Sequence, residues 1–173
     1  YMAAIGAVEG LVDDQIIRDF AARFNGVEHR IELVRTLDKV RYYNDSIASS
    51  PTRTIAGLKC FPEKVILIAG GYDKHIPFDV LGPEVVEHVK LLVLCGATAG
   101  KIRAAVEQAS GYRPGHPEIL DVTPFQRAVE TARDRAVPGD VVTLSPACAA
   151  FDQFRNFMER GKTFKAIVNS WAE

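Results

Sequence analysis

Three near-continuous apolar runs, Val65–Ala69 (VILIA), Leu91–Cys95 (LLVLC) and Val141–Leu144 (VVTL), constrain this chain more than any other feature. A strand with one face in water alternates apolar and polar residues, because successive side chains point to opposite faces. A strand that is apolar throughout needs cover on both faces, as in a parallel sheet between two helix layers. Helix-length segments separate these runs. KVRYY leads to a helix near 51–60, KVILIAG to one near 78–88, and KLLVLCG to AGKIRAAVEQA. PEILDV then leads to PFQRAVETARDRA, and DVVTLS to AFDQFRNFMERG. Repeated strand–helix units predict a doubly wound α/β domain with a mostly parallel sheet. RIELVRTL and KVRYYND flank Asp38 as a hairpin would, which adds one antiparallel edge strand.

The first residues follow a different pattern. YMAAIGAVEGLVDDQIIRDFAARF gives two short amphipathic helices, the second capped by Asp13 or Asp14. Two such helices cannot bury their apolar faces alone, so residues 1–28 are expected to end a preceding domain and 29–173 to form the main one. A length of 173 residues suits one ordinary domain with such an addition.

Composition narrows the function classes. A formal net charge of -1 gives no electrostatic reason for a nucleic-acid or anionic-membrane partner. No stretch reads as a membrane span or signal peptide. Cys60, Cys95 and Cys148 are far apart, with no CxxC pair, which fits a reduced cytoplasmic protein with structural thiols. His29, His75, His88 and His116 lack metal-ligand spacing, so no metal site is expected.

Ligands of doubly wound folds sit beyond the carboxyl ends of the strands. Four loops qualify: 44–50, 70–75, 96–100 and 145–151. CGATAGKI in the third is not a phosphate loop. Only three residues separate Gly96 from Gly100, and Ile102 stands where the metal-binding hydroxyl belongs. A strand-to-helix turn with Lys101 in solvent is expected instead. In YYNDSIASSPTRT, Ser49 or Ser50 reads as a helix cap before Pro51, while Asp45 at the strand tip also suits a ribose hydroxyl. In GGYDKHIPF the glycines give the backbone room to turn, and Lys74 is a lone loop cation. Asp73 either orients Lys74 or caps the turn. LSPACAAFDQFRNFMERG opens a helix whose first N–H groups would attract an anion. Its Phe151, Phe154 and Phe157 recur every third residue, a core pattern.

GVEHRIELV, YYNDSIASSPTRTIAGL, VILIAGGYDKHIPF and GDVVTLSPACAAFDQFRNFMERGKTF together resemble the Mur ligase family, specifically its D-glutamate-adding branch. The stretches follow the family's order over most of residues 26–164. The resemblance implies a Rossmann-like carboxyl-terminal domain, preceded by the last helices of a central ATPase domain. It implies an ATP-dependent reaction joining D-glutamate to the L-alanine carboxylate of UDP-N-acetylmuramoyl-L-alanine, through an acyl phosphate, with ADP released. The phosphate loop and the Mg2+ ligands would lie upstream, so no catalytic residue is assigned to this chain and it is expected to be inactive alone. By position, Lys74, Ser49, Ala150, Phe151 and Phe157 resemble the D-glutamate contacts, and Arg30 and Asp45 the nucleotide contacts. Ala150 stands where the family has a serine, and Ile47 where relatives have a lysine, which leaves more of the charge pairing to Lys74 and Arg30. A monomer is expected. The competing readings are a folylpolyglutamate-type or other Mur ligase domain, and a stand-alone amino-acid or nucleotide-binding module.

Overall fold

The computed structural model describes residues 2–24 and 26–172. Tyr1 and Asn25, which the expected 1–28 segment includes, lie outside the described residues, as does Glu173. Two helices open the chain, α1 (Met2–Val8) and α2 (Asp14–Arg23). Asp13 caps α2 by accepting from the Gln15 N–H at 2.8 Å. No residue of α2 is buried: Ile16 and Phe20 are 60% and 61% exposed.

The remaining elements are β1 (Glu32–Leu37), β2 (Val40–Asn44), α3 (Pro51–Leu58), β3 (Val65–Ala69), α4 (Leu81–His88) and β4 (Val89–Leu94). They continue with α5 (Ala99–Glu107), β5 (Glu118–Asp121), α6 (Phe125–Asp134), β6 (Val141–Leu144) and α7 (Phe157–Ser170). The six strands form one sheet in the order β1-β2-β6-β3-β4-β5. Only β1 runs antiparallel to its neighbour. Leu37 pairs with Val40 across a turn whose Asp38 and Lys39 both have positive φ, 52° and 64°. That is the turn whose twist matches a hairpin's strands.

The apolar runs are two-faced, as expected. Ile66 and Ile68 of β3 pack with Val93, Phe125, Ala128 and Phe164 on the α6–α7 face. Val65, Leu67 and Ala69 pack with Leu58, Leu81, Leu92 and Ile102 on the α3–α4–α5 face. Every residue of β3 and β6 is buried, so the centre of the sheet is a rigid support for the loops at its carboxyl edge.

The last helix starts later than the sequence suggested. AFDQFRNFMERG is not helical from its first residue: α7 begins at Phe157, and 150–156 is a turn and bend segment. Asn156 accepts the Glu159 N–H at 2.9 Å, and the Glu159 carboxylate accepts the Arg155 N–H at 2.9 Å. This reciprocal pair satisfies N–H groups at the helix start and fixes where it begins. The three phenylalanines therefore do not share a face. Phe154 packs against Phe125, whereas Phe151 is 61% exposed.

Leu67→Ala, at a fully buried position, is expected to cost about 2–5 kcal/mol. Equilibrium urea denaturation measures the loss.

Candidate functional site

Because β2, β6, β3 and β4 are adjacent and parallel, the loops that follow them form one continuous rim. The rim is fastened from below by Arg160, on the buried face of α7. Its Nη1 donates to the Ala149 carbonyl at 3.1 Å, and its Nη2 to the carbonyls of Ser46 at 2.9 Å and Cys148 at 3.0 Å. Nε donates to Ser46 Oγ at 3.0 Å, and that hydroxyl donates to the Phe157 carbonyl at 2.8 Å. Arg160 is 2% exposed and has no carboxylate partner among the described residues. Burial lowers its pKa to about 10, so it remains a cation at neutral pH. Sequence reasoning missed Arg160. The available signal was its place beside Phe157, Gly161 and Phe164, on the helical spacing of the apolar face.

The 96–100 loop acts as a strut. The buried Thr98 Oγ1 receives the Gly71 N–H and donates to the Gly71 carbonyl, both at 3.1 Å, and meets Cys148 Sγ at 3.0 Å. Lys101 is not simply solvated, as expected above, but pairs with Asp73 at 2.5 Å. The other Asp73 oxygen accepts the His75 N–H at 2.7 Å, so Asp73 caps the turn and does not orient Lys74. Gly71 has φ 148°, and a Cβ there would lie 2.4 Å from the Ala149 carbonyl oxygen. Glycine lets the 70–75 and 145–151 loops touch, and the Tyr72 N–H donates to that same carbonyl at 2.9 Å.

Lys74 and Ser49 come together at this junction. With Tyr72, Phe78, Ala147 and Cys148 they line a recess of about 10 Å³, room for one water rather than an amino acid. Lys74 is exposed and, among the described residues, has neither a hydrogen bond nor an ion pair. Phe151 stands at the rim with its ring against Tyr72, 5.8 Å between centroids. Ala150 is buried beside it at 2% exposure. Phe157 lies apart from the recess, edge-on to His29 at 5.9 Å. The expected helix start at the 145–151 loop is absent, so the fixed positive charge beneath this loop is Arg160.

A second, larger groove of about 450 Å³ runs along the other side of the 44–50 loop, lined by Arg30, Asp45, Ile47, Arg53 and Gly57 among others. Asp45 is 4% exposed. It accepts the Ile31 N–H at 3.2 Å and the Ser145 hydroxyl at 2.8 Å. Burial outweighs these bonds and pushes its carboxyl up to about 6. His29 and Ile31 have positive φ, 66° and 45°, a strained backbone that Asp45 and the Ile47 N–H to His29 carbonyl bond hold in place. His29 itself is buried. Its Nδ1 lies 2.8 Å from Asn44 Nδ2, while Arg30 faces the groove.

Two clusters among the described residues have metal-like donors, Glu28–His29–Glu32 and Glu84–Glu87–His88. Each already holds a lysine: Lys165 bridges Glu28 and Glu32 at 3.0 and 2.6 Å, and Lys59 pairs with Glu84 at 2.7 Å. No helix among the described residues is long and apolar enough to cross a membrane.

Fold and rim define an α/β domain whose mostly parallel sheet carries, at its carboxyl edge, a small recess beside an exposed lysine and a larger groove with two arginines beside a buried acid. Residues 29–148 match the family described as Mur ligase, glutamate ligase domain, and the chain belongs to that family. It is 57% identical over 173 residues to the UDP-N-acetylmuramoylalanine–D-glutamate ligase of Acetivibrio thermocellus, covering 98% of this chain and 37% of the relative. Against the protein of that name from Clostridium kluyveri, identity is 54% over 168 residues, with 97% and 37% covered. The chain thus spans little more than a third of these relatives' length. Its fold is shared by the Mycobacterium tuberculosis folylpolyglutamate synthase, with TM-score 0.64, 14% identity, and 94% of this chain and 38% of that one covered. A murein peptide ligase of Psychrobacter arcticus gives TM-score 0.56 at 13% identity, over 88% of this chain and 32% of that one.

Arg160→Met is expected to destabilise the domain by about 1–3 kcal/mol for each acceptor left buried without a donor. Arg160→Lys should recover only part of this, since one ammonium cannot reproduce the guanidinium fork. Urea denaturation of the two variants checks both expectations.

Proposed function

We propose that the chain is the carboxyl-terminal domain of an ATP-dependent ligase that adds D-glutamate to UDP-N-acetylmuramoyl-L-alanine in the cytoplasm, making a peptidoglycan precursor. The observation that carries this reading is Lys74, an uncommitted cation set beside the Ser49 hydroxyl on a rigid strand-end loop. The names of the relatives, at 57% and 54% identity, supply the substrate class.

In the proposed reaction, the L-alanine carboxylate takes the γ-phosphoryl group of ATP and ADP departs. The D-glutamate amine then attacks the acyl phosphate, forming the amide and releasing phosphate. This chain's part is to hold and aim the incoming amino acid. Lys74 forms a charge-assisted hydrogen bond with one D-glutamate carboxylate, and the Ser49 hydroxyl donates to it. Ala150 offers no hydroxyl, so contacts there are limited to the backbone beside Phe151. Phe157 acts indirectly, by packing on His29 behind the loop. A recess of only about 10 Å³ is half a pocket, and the facing wall would come from the preceding part of the protein. Residues 1–28 are proposed to be the end of that central domain.

The second groove is proposed to hold the nucleotide, with Arg30 directed to its phosphates and Asp45 to its ribose. Two guanidinium groups beside one buried carboxylate suit an anion rather than a divalent ion. Mg2+, which would neutralise the phosphates when bound, is therefore assigned to ligands outside this chain. The full-length protein is proposed to work as a monomer.

Lys74→Ala in the full-length enzyme is expected to raise the KM for D-glutamate at least tenfold, with little change in the KM for ATP, since a charge-assisted bond is worth about 1.5–3 kcal/mol. Steady-state phosphate release at varied D-glutamate measures this, and an unchanged KM removes Lys74 from the site. Substituting L-glutamate or a folate acceptor in the same assay distinguishes the D-glutamate ligase from a folylpolyglutamate-type enzyme.

Asp45 yields a second test. Its folded-state pKa, about 6, lies above the ordinary 3.8, so the folded protein holds this proton more tightly than the unfolded chain. Its contribution to stability is therefore greatest at low pH and falls as pH rises from 3.8 to about 6. Asp45→Asn should flatten that part of the Tm–pH profile and weaken nucleotide binding. Identical profiles for variant and parent would count against the buried carboxylate.

A further inference from the structure

The Asp45 groove presents two guanidinium groups, and only Arg30 has a role so far. The other belongs to Arg53, in the first turn of α3, exposed and lining the same groove. Four arginines of this domain are bound to carboxylates: Arg41 to Glu63, Arg103 to Asp121, Arg127 to Glu130 and Arg135 to Glu118. Arg53 is not. Its guanidinium has no hydrogen bond or ion pair among the described residues. Asp45 is near enough for its ionisation to feel the charges of both Arg30 and Arg53. Yet its two oxygens already serve the Ile31 N–H and the Ser145 hydroxyl. The groove therefore carries two free cations against one buried, committed acid.

The position of Arg53 adds a second argument. A helix start carries partial positive charge, so a cation in the first turn is placed where the backbone disfavours it. α3 has no acidic residue in that turn to compensate, and the hydroxyl of its cap residue Ser50 meets that of Thr52 at 3.3 Å rather than a helix N–H. The Arg53 guanidinium is thus a cation beside a helix start with no partner among the described residues, and an anion in the groove would relieve it. The rest of the lining, Ile31, Ile47, Ala48 and Ala56, is apolar and suits the body of a ligand with an anionic tail. We propose that Arg53 is a second phosphate-binding residue of the nucleotide groove, gripping the phosphate chain from the α3 side while Arg30 holds it from the other. This rests on the nucleotide reading of the groove given above.

The test uses the full-length protein, with ADP and adenosine as probes and calorimetric or competition Kd values as readout, for Arg53→Gln, Arg53→Lys and Arg30→Gln. Arg53 is exposed and makes no packing bond, so unfolding does not obscure the result, and a melting curve of each variant verifies it. Arg53→Gln should weaken ADP binding roughly tenfold, the worth of one charge-assisted contact. Arg53→Lys should fall between that variant and the parent, and adenosine should bind all of them alike. Unchanged ADP affinity in Arg53→Gln, with Arg30→Gln impaired, overturns the role of Arg53 alone. An equal loss for adenosine and ADP also overturns it, because the contact would not be to phosphate. If neither Arg30→Gln nor Arg53→Gln changes ADP affinity, the nucleotide reading of the groove itself fails.

Discussion

The carboxyl-edge rim depends on a buried arginine that forms no ion pair with a carboxylate among the described residues. Arg160 spends its donors on main-chain carbonyls of Ser46, Cys148 and Ala149 and on the Ser46 hydroxyl. A charge so deeply placed is costly, and it persists because several good hydrogen bonds replace its water. What this arrangement achieves is registration. Two loops that leave β2 and β6 independently are locked together, and the Gly71 turn from β3 is pressed against them, with a Cβ there only 3.2 Å from Nη1. The grooves on either side of the 44–50 loop inherit their shape from this clamp.

On that rim the charged groups divide by commitment. Asp73 and Lys101 neutralise each other, and Lys165 neutralises Glu28 and Glu32, so these shape the backbone. Lys74, Arg30 and Arg53 make no such pairs among the described residues. A free cation on a rigid loop costs nothing to desolvate until a ligand arrives, and then contributes its full charge-assisted bond. On this rests the proposal of an amino-acid carboxylate on one side and a phosphate chain on the other, in a domain of the Mur ligase family.

Much of the fold was legible because burial on both faces writes itself into consecutive residues. VILIA has no polar position and VVTL only Thr143, and both proved to be central strands with every residue buried. The hairpin around Asp38 and the Pro51 helix start were equally plain, since each rests on local backbone chemistry. Long-range pairing was not legible. Nothing near Asp73 says that it meets a lysine 28 residues later, nor that Arg160 reaches Ser46 across 114 residues. The late start of α7 was readable in principle from Asn156 and Glu159, a capping pair, but the regular phenylalanine spacing suggested an earlier helix. Lys74 and Ser49 were brought together as their strand-end loops implied. Phe157 was not, because the delayed helix carries it to His29 instead.

The central claim is that one rim holds an amino-acid site and a nucleotide site at separate places. The most direct measurement is an NMR titration of this chain with D-glutamate and with ADP, followed residue by residue. D-glutamate should shift the amides of Ser49, Tyr72, Lys74 and Ala149, and L-glutamate should shift them less. ADP should shift Arg30, Ile31, Asp45 and Arg53. Shifts from either ligand confined to surfaces away from the rim, or the same residues responding alike to D- and L-glutamate, would contradict the account.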